Sequence, residues 1–510
     1  MEFGEQVINN PLTSGFLKNA FLYPNSNAIF INENYYTYSQ LFAITYKIYE
    51  QLVYQSETFD RIGVYCKDDL QSYASILAVS LYGAAYVPLN SKYPFSRNSD
   101  ILTQTQVKLI LNADDTLKHN LAHDKLLLLP GIEIGELDFH FEQIGDLTIV
   151  NQPLAYILFT SGTSGTPKGV PVSKFNVNSF FSHYLNSNLY SFSINDKFLQ
   201  VYELTFDVSV FSFFLPLNLG ACCYIIPQKG IRYLEILKFI KKYEITILSM
   251  VPSIIKMMDR YLDETDFNSL RYSFFSGDKL SHKSVAKWAK KNSNAKVYNF
   301  YGPTETTIVC TSYPWNESDS NIESIYDIVP IGKPFEGMEF ILVNDFNDII
   351  DNNQKGELCF YGKQVIDGYL NNENLDKFIE KTINGVSKKY YKTGDIASLN
   401  DKGNLVFYGR KDSQVKINGY RVDLLEIESS IKKTTQSFFS INCLKDKMDI
   451  NILVLFVENL NLNIIDFKSR ISELLPSYMI PNKIILLDKI PLNLNNKVDY
   501  EKLEEIFKES

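Results

Sequence analysis

Apolar residues follow two alternating patterns along most of the chain, short continuous runs and longer stretches with helical spacing. The runs at 61–66 (RIGVYC) and 154–160 (LAYILFT) have the length and apolar content of buried strands. The stretch from Gln71 to Tyr82 is long enough for a helix and is followed by Gly83, a common helix stop. Strands that alternate with helices predict βαβ units and largely parallel sheets, so we expect an α/β fold.

The alternation ends near residue 325, where short strands separated by turns replace it. Closer to the C-terminus, two apolar runs at 450–459 (INILVLFVEN) and 482–490 (NKIILLDKI) lie between helix-like stretches. This pattern predicts a small α+β unit after the large α/β part. We place the boundary after residue 411, which gives domains 1–411 and 412–510.

The composition agrees with a globular protein of at least two domains. At 510 residues the chain is too long for a single hydrophobic core. Its hydrophobic share of 45% and charged share of 21% are ordinary for a soluble protein. The formal net charge of -9 argues against a nucleic-acid partner, because such partners require a basic face.

Targeting signals and metal-binding patterns are not apparent in the sequence. The start, MEFGEQVINN, has neither a basic n-region nor an apolar h-region. The longest apolar stretch, 73–89, contains Gly83 and Pro88 and is short for a bilayer span. The six cysteines form no CxxC pair, and the five histidines show no metal-ligand spacing. We therefore expect a cytoplasmic protein without membrane contact, in which Cys222 and Cys223 are buried thiols.

The segment 160–168 (TSGTSGTPK) is the strongest single candidate for chemistry. Its glycines allow backbone N–H groups to curl around an anion, its hydroxyls add donors, and Lys168 adds a mobile positive charge. The spacing differs from a P-loop, because Pro167 precedes the lysine and Gly169 follows it. A flexible Ser/Gly linker is the alternative, which the preceding apolar strand disfavours. We expect the loop to lead into the helix at 173–185 and to cap it.

Seven motifs occur in one order: YTYSQL, GAAYVPLN, LFTSGTSGTPKGV, YNFYGPTETT, YYKTGD, GRKDSQVKINGYRV and NNKVD. This set resembles the amino-acid adenylation domains of nonribosomal peptide synthetases, within the adenylate-forming superfamily. The resemblance covers essentially the full chain. It implies a large adenylate-forming core of parallel-type sheets with helices, followed by a small, mobile α+β domain. It also implies two reactions, acyl-adenylate formation from ATP and transfer of the acyl group to the phosphopantetheine thiol of a carrier protein.

The resemblance implies a nucleotide site, residue by residue. The loop residues expected at the β- and γ-phosphates are Thr160, Ser161, Gly162, Thr163, Ser164, Gly165 and Lys168. Asn299 is matched to the adenine edge and Tyr301 to its face, although a packed core tyrosine would be an ordinary alternative.

Further nucleotide contacts are implied by the later motifs. Thr304 would touch the α-phosphate, and Glu305 would hold Mg²⁺, a hard cation that prefers carboxylates. Asp395 would bind the ribose hydroxyls, with Phe407 and Arg410 in the same site. A simple turn residue after a glycine is the alternative reading of Asp395.

Two residues would govern the change between the reactions. Lys497, in NNKVD where the family pattern is NGKVD, would bridge the substrate carboxylate and the forming adenylate; in isolation it would be taken for a surface lysine. Asp412 would be the hinge about which the small domain rotates, exchanging Lys497 for the loop 416–419. A solvent-exposed turn residue is the alternative for Asp412.

Asp207 indicates the class of substrate. It lies in the otherwise apolar run TFDVSVFSFFLPL, where a buried carboxylate is costly unless it is paired. In amino-acid-activating relatives this aspartate binds the α-ammonium, whereas aryl- and fatty-acid-activating relatives generally lack it. The alternative is a structural ion pair with a lysine of the protein.

The family's side-chain pocket maps onto Asp207, Val208, Phe211, Ser249, Phe274, Ser276, Phe300, Ile308, Val309 and Lys497. It offers no charged partner to a side chain, and its three phenylalanines leave little volume, so we expect a small neutral amino acid. The FDVSV and FFSGDKL stretches resemble those of stand-alone D-alanine– and L-proline–carrier protein ligases. Proline or alanine is favoured, and serine, glycine and valine remain open.

No LGGxS-type phosphopantetheine attachment motif occurs in the chain. We therefore expect a free-standing enzyme that loads a phosphopantetheinylated carrier protein in trans, with docking through apolar contacts and local basic spots. One rival function is an acyl- or aryl-CoA synthetase of the same fold, which Asp207 disfavours. Another is a nucleotide-binding regulator with a decayed site, which the presence of Lys168, Glu305, Asp395 and Lys497 disfavours.

Overall fold

The computed structural model describes residues 10–120, 126–131, 147, 149–161, 167–227, 230–262, 267–316, 327–372, 375–458, 460, 463–492 and 498–510. The α-helices within these ranges are α1 (Ser14–Leu22), α2 (Tyr38–Val53), α3 (Leu70–Tyr82), α4 (Phe95–Thr105), α5 (Asp115–Asn120), α6 (Lys174–Leu185), α7 (Val208–Leu219), α8 (Arg232–Tyr243), α9 (Ser253–Leu262), α10 (His282–Lys291), α11 (Leu424–Lys432), α12 (Ile464–Ser472) and α13 (Tyr500–Glu509).

Helix α3 begins and ends where its sequence predicts. The side chain of Asp69 accepts a hydrogen bond from the backbone N–H of Ser72 and so caps the first turn. At the other end Gly83 takes a left-handed conformation with φ of 90°, which a glycine adopts without strain. Almost every side chain of the helix is buried, so its position is fixed by packing on all sides.

The first mixed sheet carries the candidate phosphate loop at one edge. Strand β7 pairs in parallel with β4 and antiparallel with β8, which is the edge strand of this sheet among the described residues. The strands, in spatial order, are β6 (Leu127–Pro130), β5 (Leu109–Ala113), β3 (Arg61–Cys66), β4 (Ala85–Asn90), β7 (Leu154–Thr160) and β8 (Lys168–Ser173).

The expectation that the loop leads directly into a helix was wrong. The loop joins β7 to β8, and Lys168 is paired with Thr160 across these antiparallel strands. Helix α6 begins only after β8, where Ser173 and Asn176 form a capping box. The short run KGVPVS contains Gly169 and Pro171, which weaken a strand signal, and a proline is tolerated here because β8 is an edge strand.

The second sheet is mainly parallel and is the largest in the described part of the chain. Its central strands run parallel, while β14, β15 and β2 add antiparallel pairs at the two edges. The order is β15 (Lys333–Pro334), β14 (Thr311–Trp315), β13 (Lys296–Tyr301), β12 (Tyr272–Phe275), β11 (Ile247–Met250), β9 (Lys197–Gln200), β10 (Cys222–Ile225), β1 (Asn27–Ile31) and β2 (Asn34–Thr37).

A third sheet completes the large part of the molecule and is antiparallel throughout. Its strands are β16 (Met338–Val343), β17 (Gly356–Gly362), β18 (Phe378–Ile383), β19 (Val386–Leu399) and β20 (Leu405–Arg410). One hydrophobic core runs through all three sheets and includes Tyr73 of α3 in ring contact with Phe213 of α7, with centroids 4.9 Å apart.

The C-terminal part has hydrophobic clusters of its own, made only of residues after 414. It contains a hairpin and a second small sheet, in which β24 pairs in parallel with β25. The strands are β21 (Gln414–Ile417), β22 (Tyr420–Asp423), β23 (Phe439–Lys445), β24 (Asn451–Glu458) and β25 (Lys483–Leu487). The α/β fold class expected from the sequence is confirmed, while the division at 411/412 stays a prediction.

No helix in the described ranges is both long and apolar enough to cross a membrane.

Candidate active site

A cavity of about 320 Å³ lies at the carboxyl ends of the central parallel strands. Its walls include Tyr202 after β9, Val251 after β11, Ser276 after β12 and Gly302 after β13. Parallel strands end at one edge of a sheet, and in open α/β sheets ligands bind in the crevice outside that edge. The topology therefore creates the cavity, and loops that follow the strands supply its side chains.

The hairpin β21–β22 covers the cavity from the C-terminal part. Its two-residue turn, Asn418-Gly419, has left-handed backbone angles at both positions, φ of 50° and 86°, as a tight hairpin turn requires. The turn approaches the large part so closely that a Cβ on Gly419 would lie 2.2 Å from a methyl group of Val251. Lys416 and Arg421 are paired across the hairpin, and both line the cavity.

Arg421 forms an ion pair with Glu305, which is fully buried beside the cavity. Its Nη1 donates to both carboxylate oxygens, at 3.0 and 3.2 Å, and the Tyr369 hydroxyl donates to Oε1 at 2.6 Å. Burial alone would favour the neutral acid, but the arginine and the tyrosine outweigh it and lower the pKa of Glu305 below its usual value. Glu305 is therefore ionised and already carries a counter-charge.

Asp395 is the centre of a second polar network. It accepts hydrogen bonds from the Tyr301 hydroxyl and from Nη1 of Arg410, each at 2.5 Å. Arg410 also donates Nε and Nη2 to the two oxygens of Asp412, at 2.7 and 2.9 Å. This bidentate pair fixes the orientation of Asp412, the expected hinge residue, while Asp395, Tyr301 and Arg410 all face the cavity.

Asp207 also lines the cavity, just before helix α7. Burial raises the pKa of Asp207 to about 6, although hydrogen bonds from the Thr304 side chain and the Val208 backbone oppose the rise. None of the leading influences on this carboxyl group is a cation. Asp207 is thus close to the Thr304 hydroxyl and, among the described residues, has no ion pair like that of Glu305.

The start of the candidate phosphate loop reaches the same cavity. Thr160 and Ser161 lie on its wall, and the Ser161 hydroxyl donates to the backbone carbonyl of Arg421 at 2.9 Å. Lys168 is buried, and burial together with the nearby charges of Lys377 and Arg421 lowers its pKa. The remaining loop predictions, Gly162, Thr163, Ser164 and Gly165, lie outside the described residues.

The structure divides the predicted side-chain pocket into two sets. Val208, Ser276, Ile308 and Val309 join Asp207 on the cavity wall. Phe211, Ser249, Phe274 and Phe300 are buried behind this wall instead. Lys497, the last member of the predicted set, lies outside the described residues.

Two predicted nucleotide residues, Asn299 and Phe407, lie around a smaller space next to the main cavity. The amide nitrogen of Asn299 donates to the carbonyls of Val329 and Pro330 at 3.3 and 2.9 Å. Its Oδ1 is buried and, within the described part of the chain, has no hydrogen-bond partner. Lys416 connects the two spaces, since its ammonium group lies 5.8 Å from the ring centre of Tyr301 and 5.7 Å from that of Phe407.

Arg421 was not singled out from the sequence, although a signal for it exists. A two-residue Asn-Gly turn pairs Ile417 with Tyr420 and therefore Lys416 with Arg421 on the same face of the hairpin. Tyr202 was also missed. It lines the cavity, and its hydroxyl lies 3.4 Å from that of Ser249.

Glu305 is the residue expected to hold Mg²⁺. Among the described residues no group of three or more Asp, Glu, His or Cys side chains could enclose a metal ion. Mg²⁺ is commonly held by one or two carboxylates together with substrate phosphates, and a single buried carboxylate at the cavity fits that donor set. Because Arg421 occupies both oxygens of Glu305, the guanidinium would have to leave before a metal ion could bind.

A further ion pair joins the two parts of the molecule away from the cavity. Nη1 of Arg97, on α4, donates to Oε1 of Glu426, on α11, at 2.6 Å, and both side chains are buried. Beside it, Tyr420 stacks on Tyr478 with ring centres 4.3 Å apart and contacts Phe206 edge-on. These contacts hold the hairpin β21–β22 over the cavity.

Comparisons with known proteins agree with this arrangement. Residues 16–370 match the family model described as AMP-binding enzyme. The chain is 29% identical to tyrocidine synthase 1 of Brevibacillus parabrevis over 498 residues, covering 96% of this chain and 44% of that protein. It is 31% identical to gramicidin S synthase 1 of Brevibacillus brevis over 500 residues, covering 94% of this chain and 43% of that protein. The chain thus spans less than half the length of these relatives.

Among solved structures, the adenylation domain AlmE of Vibrio cholerae superposes with a TM-score of 0.83 at 25% identity, and the match covers 100% of both chains. That structure is a complex with glycyl-adenosine-5'-phosphate. The resemblance to adenylation domains of nonribosomal peptide synthetases that the motifs indicate is thereby confirmed.

Proposed function

The chain belongs to the family of AMP-binding enzymes, and on this premise we propose that it activates a small neutral amino acid as its aminoacyl-adenylate. It then transfers the aminoacyl group to the phosphopantetheine thiol of a carrier protein that acts in trans. The observation that carries the proposal is one cavity that contains both Asp207 and the polar network of Asp395, Tyr301 and Arg410. An ammonium group and a nucleotide can therefore be bound side by side.

Asp207 selects an amino acid over other carboxylic acids. No cation is among the main causes of the pKa shift of Asp207, and a partly buried carboxylate without such a partner costs free energy. The α-ammonium group of an amino acid supplies the missing positive charge. The Thr304 side chain, which is hydrogen-bonded to Asp207, lies where the substrate carboxylate meets the α-phosphate. The similarity to tyrocidine synthase 1 and gramicidin S synthase 1 and the glycyl-adenosine-5'-phosphate bound to AlmE support an amino-acid substrate.

The nucleotide is held by residues of the large part of the molecule. Asp395 accepts hydrogen bonds from the ribose hydroxyls, and Tyr301 packs on the adenine. Oδ1 of Asn299, which has no hydrogen-bond partner among the described residues, accepts a hydrogen bond from the amino group of adenine. Thr160, Ser161, Lys168 and the loop residues between them hold the β- and γ-phosphates. Mg²⁺, when bound by Glu305 and the phosphates, would offset the negative charge of the triphosphate.

Two bond exchanges make up the reaction. An oxygen of the substrate carboxylate attacks the α-phosphorus of ATP, a new P–O bond forms, and the bond to the bridging oxygen breaks to release pyrophosphate. The thiolate of phosphopantetheine then attacks the acyl carbon, a C–S bond forms, and the C–O bond to AMP breaks. Negative charge concentrates in both transition states, so fixed donors and cations supply most of the acceleration.

The two reactions need different arrangements of the small domain, with Asp412 as the hinge. In the arrangement of this structure the hairpin β21–β22 covers the cavity and Arg421 neutralises Glu305. We assign this arrangement to thioester formation, after pyrophosphate has left. In the other arrangement Lys497 would enter and bridge the substrate carboxylate and the α-phosphate.

The test is amino-acid-dependent exchange of pyrophosphate into ATP by the purified enzyme. We expect exchange with small neutral amino acids and none with fatty or aryl acids. Addition of 4′-phosphopantetheine, free or attached to a carrier protein, should then release AMP and form a thioester. Exchange with fatty or aryl acids alone would identify an acyl- or aryl-CoA synthetase, and no exchange with any acid would contradict an enzymatic role.

Replacing Lys497 tests the assignment of the two reactions. Lys497→Ala should lower exchange at least a hundredfold, since it removes several kcal/mol of transition-state stabilisation at about 1.4 kcal/mol per factor of ten. The same variant should still convert a preformed aminoacyl-adenylate to the thioester. Exchange near the wild-type rate would refute the role of Lys497.

A further inference from the structure

The part of the cavity next to Asp207 has mainly apolar walls. Its wall around Asp207 consists of Val208, Ser276, Ile308 and Val309. The whole cavity encloses about 320 Å³, near the lower limit for small-molecule sites, which range from about 300 to 1,000 Å³. If the proposed function holds, the nucleotide and the amino acid share this space, and the side chain of the amino acid lies beside the wall around Asp207.

Aromatic rings fill the space behind this wall. The ring of Phe274 lies 5.0 Å from that of Phe300 and 5.7 Å from that of Phe211, and Tyr184 contacts Phe211 at 4.9 Å. Rings with centres at these distances are in van der Waals contact, so no channel for a further carbon atom runs between them. The three phenylalanines are at most 5% exposed.

A further aromatic layer lies behind the rings. His183 stacks on Phe335 at 3.5 Å, and Phe335 contacts Phe300 edge-on at 6.1 Å. Burial lowers the pKa of His183 to about 4, as expected for a site with little water. Further aromatic side chains therefore pack against the rings of Phe211 and Phe300.

The opposite side of the wall is a strained turn held in place from outside. Thr307 and Ile308 have φ of 58° and 72°, values that β-branched residues rarely adopt. The fully buried Gln364 donates to the carbonyls of Thr306, Thr307 and Val309 at 3.2, 3.3 and 2.8 Å. The Thr307 hydroxyl donates in turn to the carbonyl of Gln364 at 2.6 Å. These four bonds keep Ile308 and Val309 at the cavity.

One polar feature faces the remaining space. Burial raises the pKa of Tyr202 to about 12, although hydrogen bonds with Ser249 and Ser276 oppose the rise. Tyr202 and Ser276 line the cavity, and Ser249 lies directly behind them. With the hydroxyl groups of Tyr202 and Ser276 on the wall, the cavity can accept a small polar side chain of the substrate as well as a hydrogen atom or a methyl group.

We propose that the enzyme accepts only amino acids whose side chain is no larger than that of serine, namely glycine, alanine and serine. The limit is set by the rings of Phe211, Phe274 and Phe300, which pack behind one side of the cavity wall, and by the turn Thr307–Val309 on the other side. It rests on the proposed function and deepens it by naming the substrate. Proline, which the sequence favoured together with alanine, and valine both exceed the limit.

The first experiment measures kcat/KM of pyrophosphate exchange for glycine, alanine, serine, proline and valine with the wild-type enzyme. We expect proline and valine to fall about a hundredfold below the best of the other three, because an excess methylene group in a rigid pocket changes kcat/KM by roughly 10- to 200-fold. Proline or valine within tenfold of alanine would overturn the size limit and leave the proposed function intact. Exchange with no amino acid would overturn both.

The second experiment enlarges the wall. Phe300→Leu should raise the ratio of kcat/KM for valine over alanine at least tenfold, as the loss of ring volume admits a larger side chain. Phe274→Leu is the alternative where Phe300→Leu does not fold. Phe267→Leu is the matched control, because Phe267 stacks on Trp288 in a separate core, and it should leave the ratio unchanged. An unchanged ratio in both wall variants would overturn the proposal.

Discussion

Two carboxylates near the same cavity, Glu305 and Asp207, are in opposite electrostatic situations. Glu305 is fully buried but is paired with Arg421, and its pKa is lowered below its usual value. Asp207 is less deeply buried, yet burial raises its pKa to about 6 because no cation is among its leading influences. The deeper carboxylate is thus the more acidic one, so the position of a counter-charge outweighs the depth of burial.

The difference between the pKa shifts of Glu305 and Asp207 follows from where each carboxylate finds its counter-charge. Arg421 belongs to the hairpin β21–β22, so the charge of Glu305 is balanced by the arrangement of the C-terminal part. Asp207 lies between β9 and α7, elements of the large part, and under the proposed function we expect its counter-charge to come from the substrate. One site therefore responds to domain position and the other to ligand binding, and variants should separate the two.

Removing the carboxylate of Asp207 should have the largest effect. Asp207→Ala leaves the α-ammonium group without its partner, which costs about 4 kcal/mol for a largely desolvated charge pair, or roughly a thousandfold in kcat/KM for the amino acid. Asp207→Asn, which keeps the shape, should lose nearly as much. The KM for ATP should stay within a few-fold of the wild type in both variants, and an unchanged KM for the amino acid would contradict the role of Asp207.

Removing the charge of Arg421 should mainly slow thioester formation. Arg421→Gln leaves Glu305 buried without a counter-ion when the hairpin covers the cavity, so thioester formation should fall about a hundredfold, equivalent to roughly 3 kcal/mol. Pyrophosphate exchange should change by less than about fivefold, because that reaction is assigned to the other arrangement of the small domain.

The matched control is Arg470→Gln, an exposed arginine on α12 of the same part of the chain. It should leave both reactions unchanged. Equal losses of exchange and thioester formation in Arg421→Gln would contradict the assignment of this arrangement to the second reaction.

The elements of the fold were largely predictable because their signals are local. The strand Leu154–Thr160 was predicted from its apolar run, and α3 from its apolar stretch and Gly83. The pairing of β7 with β8 was not predicted, since the run KGVPVS contains Gly169 and Pro171 and carries too little strand signal. The sequence therefore predicted the loop, but it did not predict that the loop connects two antiparallel strands.

Only those residues of the site that belong to recognisable motifs could be predicted from the sequence. Thr304, Asp395 and Asp207 belong to recognisable motifs, and the structure places all three on one cavity. The pair Glu305–Arg421 joins residues 116 positions apart and depends on how two parts of the chain are arranged. Sequence periodicity carries no information about such contacts.

The ion pair Arg97–Glu426 offers a way to test whether domain position alone matters. It joins α4 to α11 at 2.6 Å, and neither residue lines the cavity. Glu426→Gln should lower thioester formation about thirtyfold, or roughly 2 kcal/mol, because the buried arginine is left without its counter-ion in this arrangement. Exchange should be little affected.

The charge reversal Arg97→Glu with Glu426→Arg should recover part of the lost thioester formation, which a purely structural defect would not. If Glu426→Gln behaves as the wild type in both reactions, the loss of thioester formation in Arg421→Gln is due to the broken contact with Glu305. A weaker attachment of the small domain would then not explain it. The rates of pyrophosphate exchange and thioester formation in these variants thus show which ion pair, Glu305–Arg421 or Arg97–Glu426, contributes more to thioester formation.

The smallest effect should appear as a dependence on pH. As the pH falls through about 6, Asp207 takes up a proton and its charge is lost, so the KM for the amino acid should rise about tenfold between pH 7 and pH 5. Glu305 should stay ionised over this range, since its pKa is lowered. Glu203, whose pKa burial also raises, faces the same cavity, so Glu203→Gln has to be measured alongside.

The pH profile distinguishes the two carboxylates without disturbing the fold. The amino acid's own groups do not titrate between pH 5 and pH 7, so a rising KM reports a group of the enzyme. The rise should persist in Glu203→Gln and disappear in Asp207→Asn, whose amide does not titrate. A profile that is flat in the wild type would mean that Asp207 already has a counter-charge before the substrate binds, and the contrast with Glu305 would then be lost.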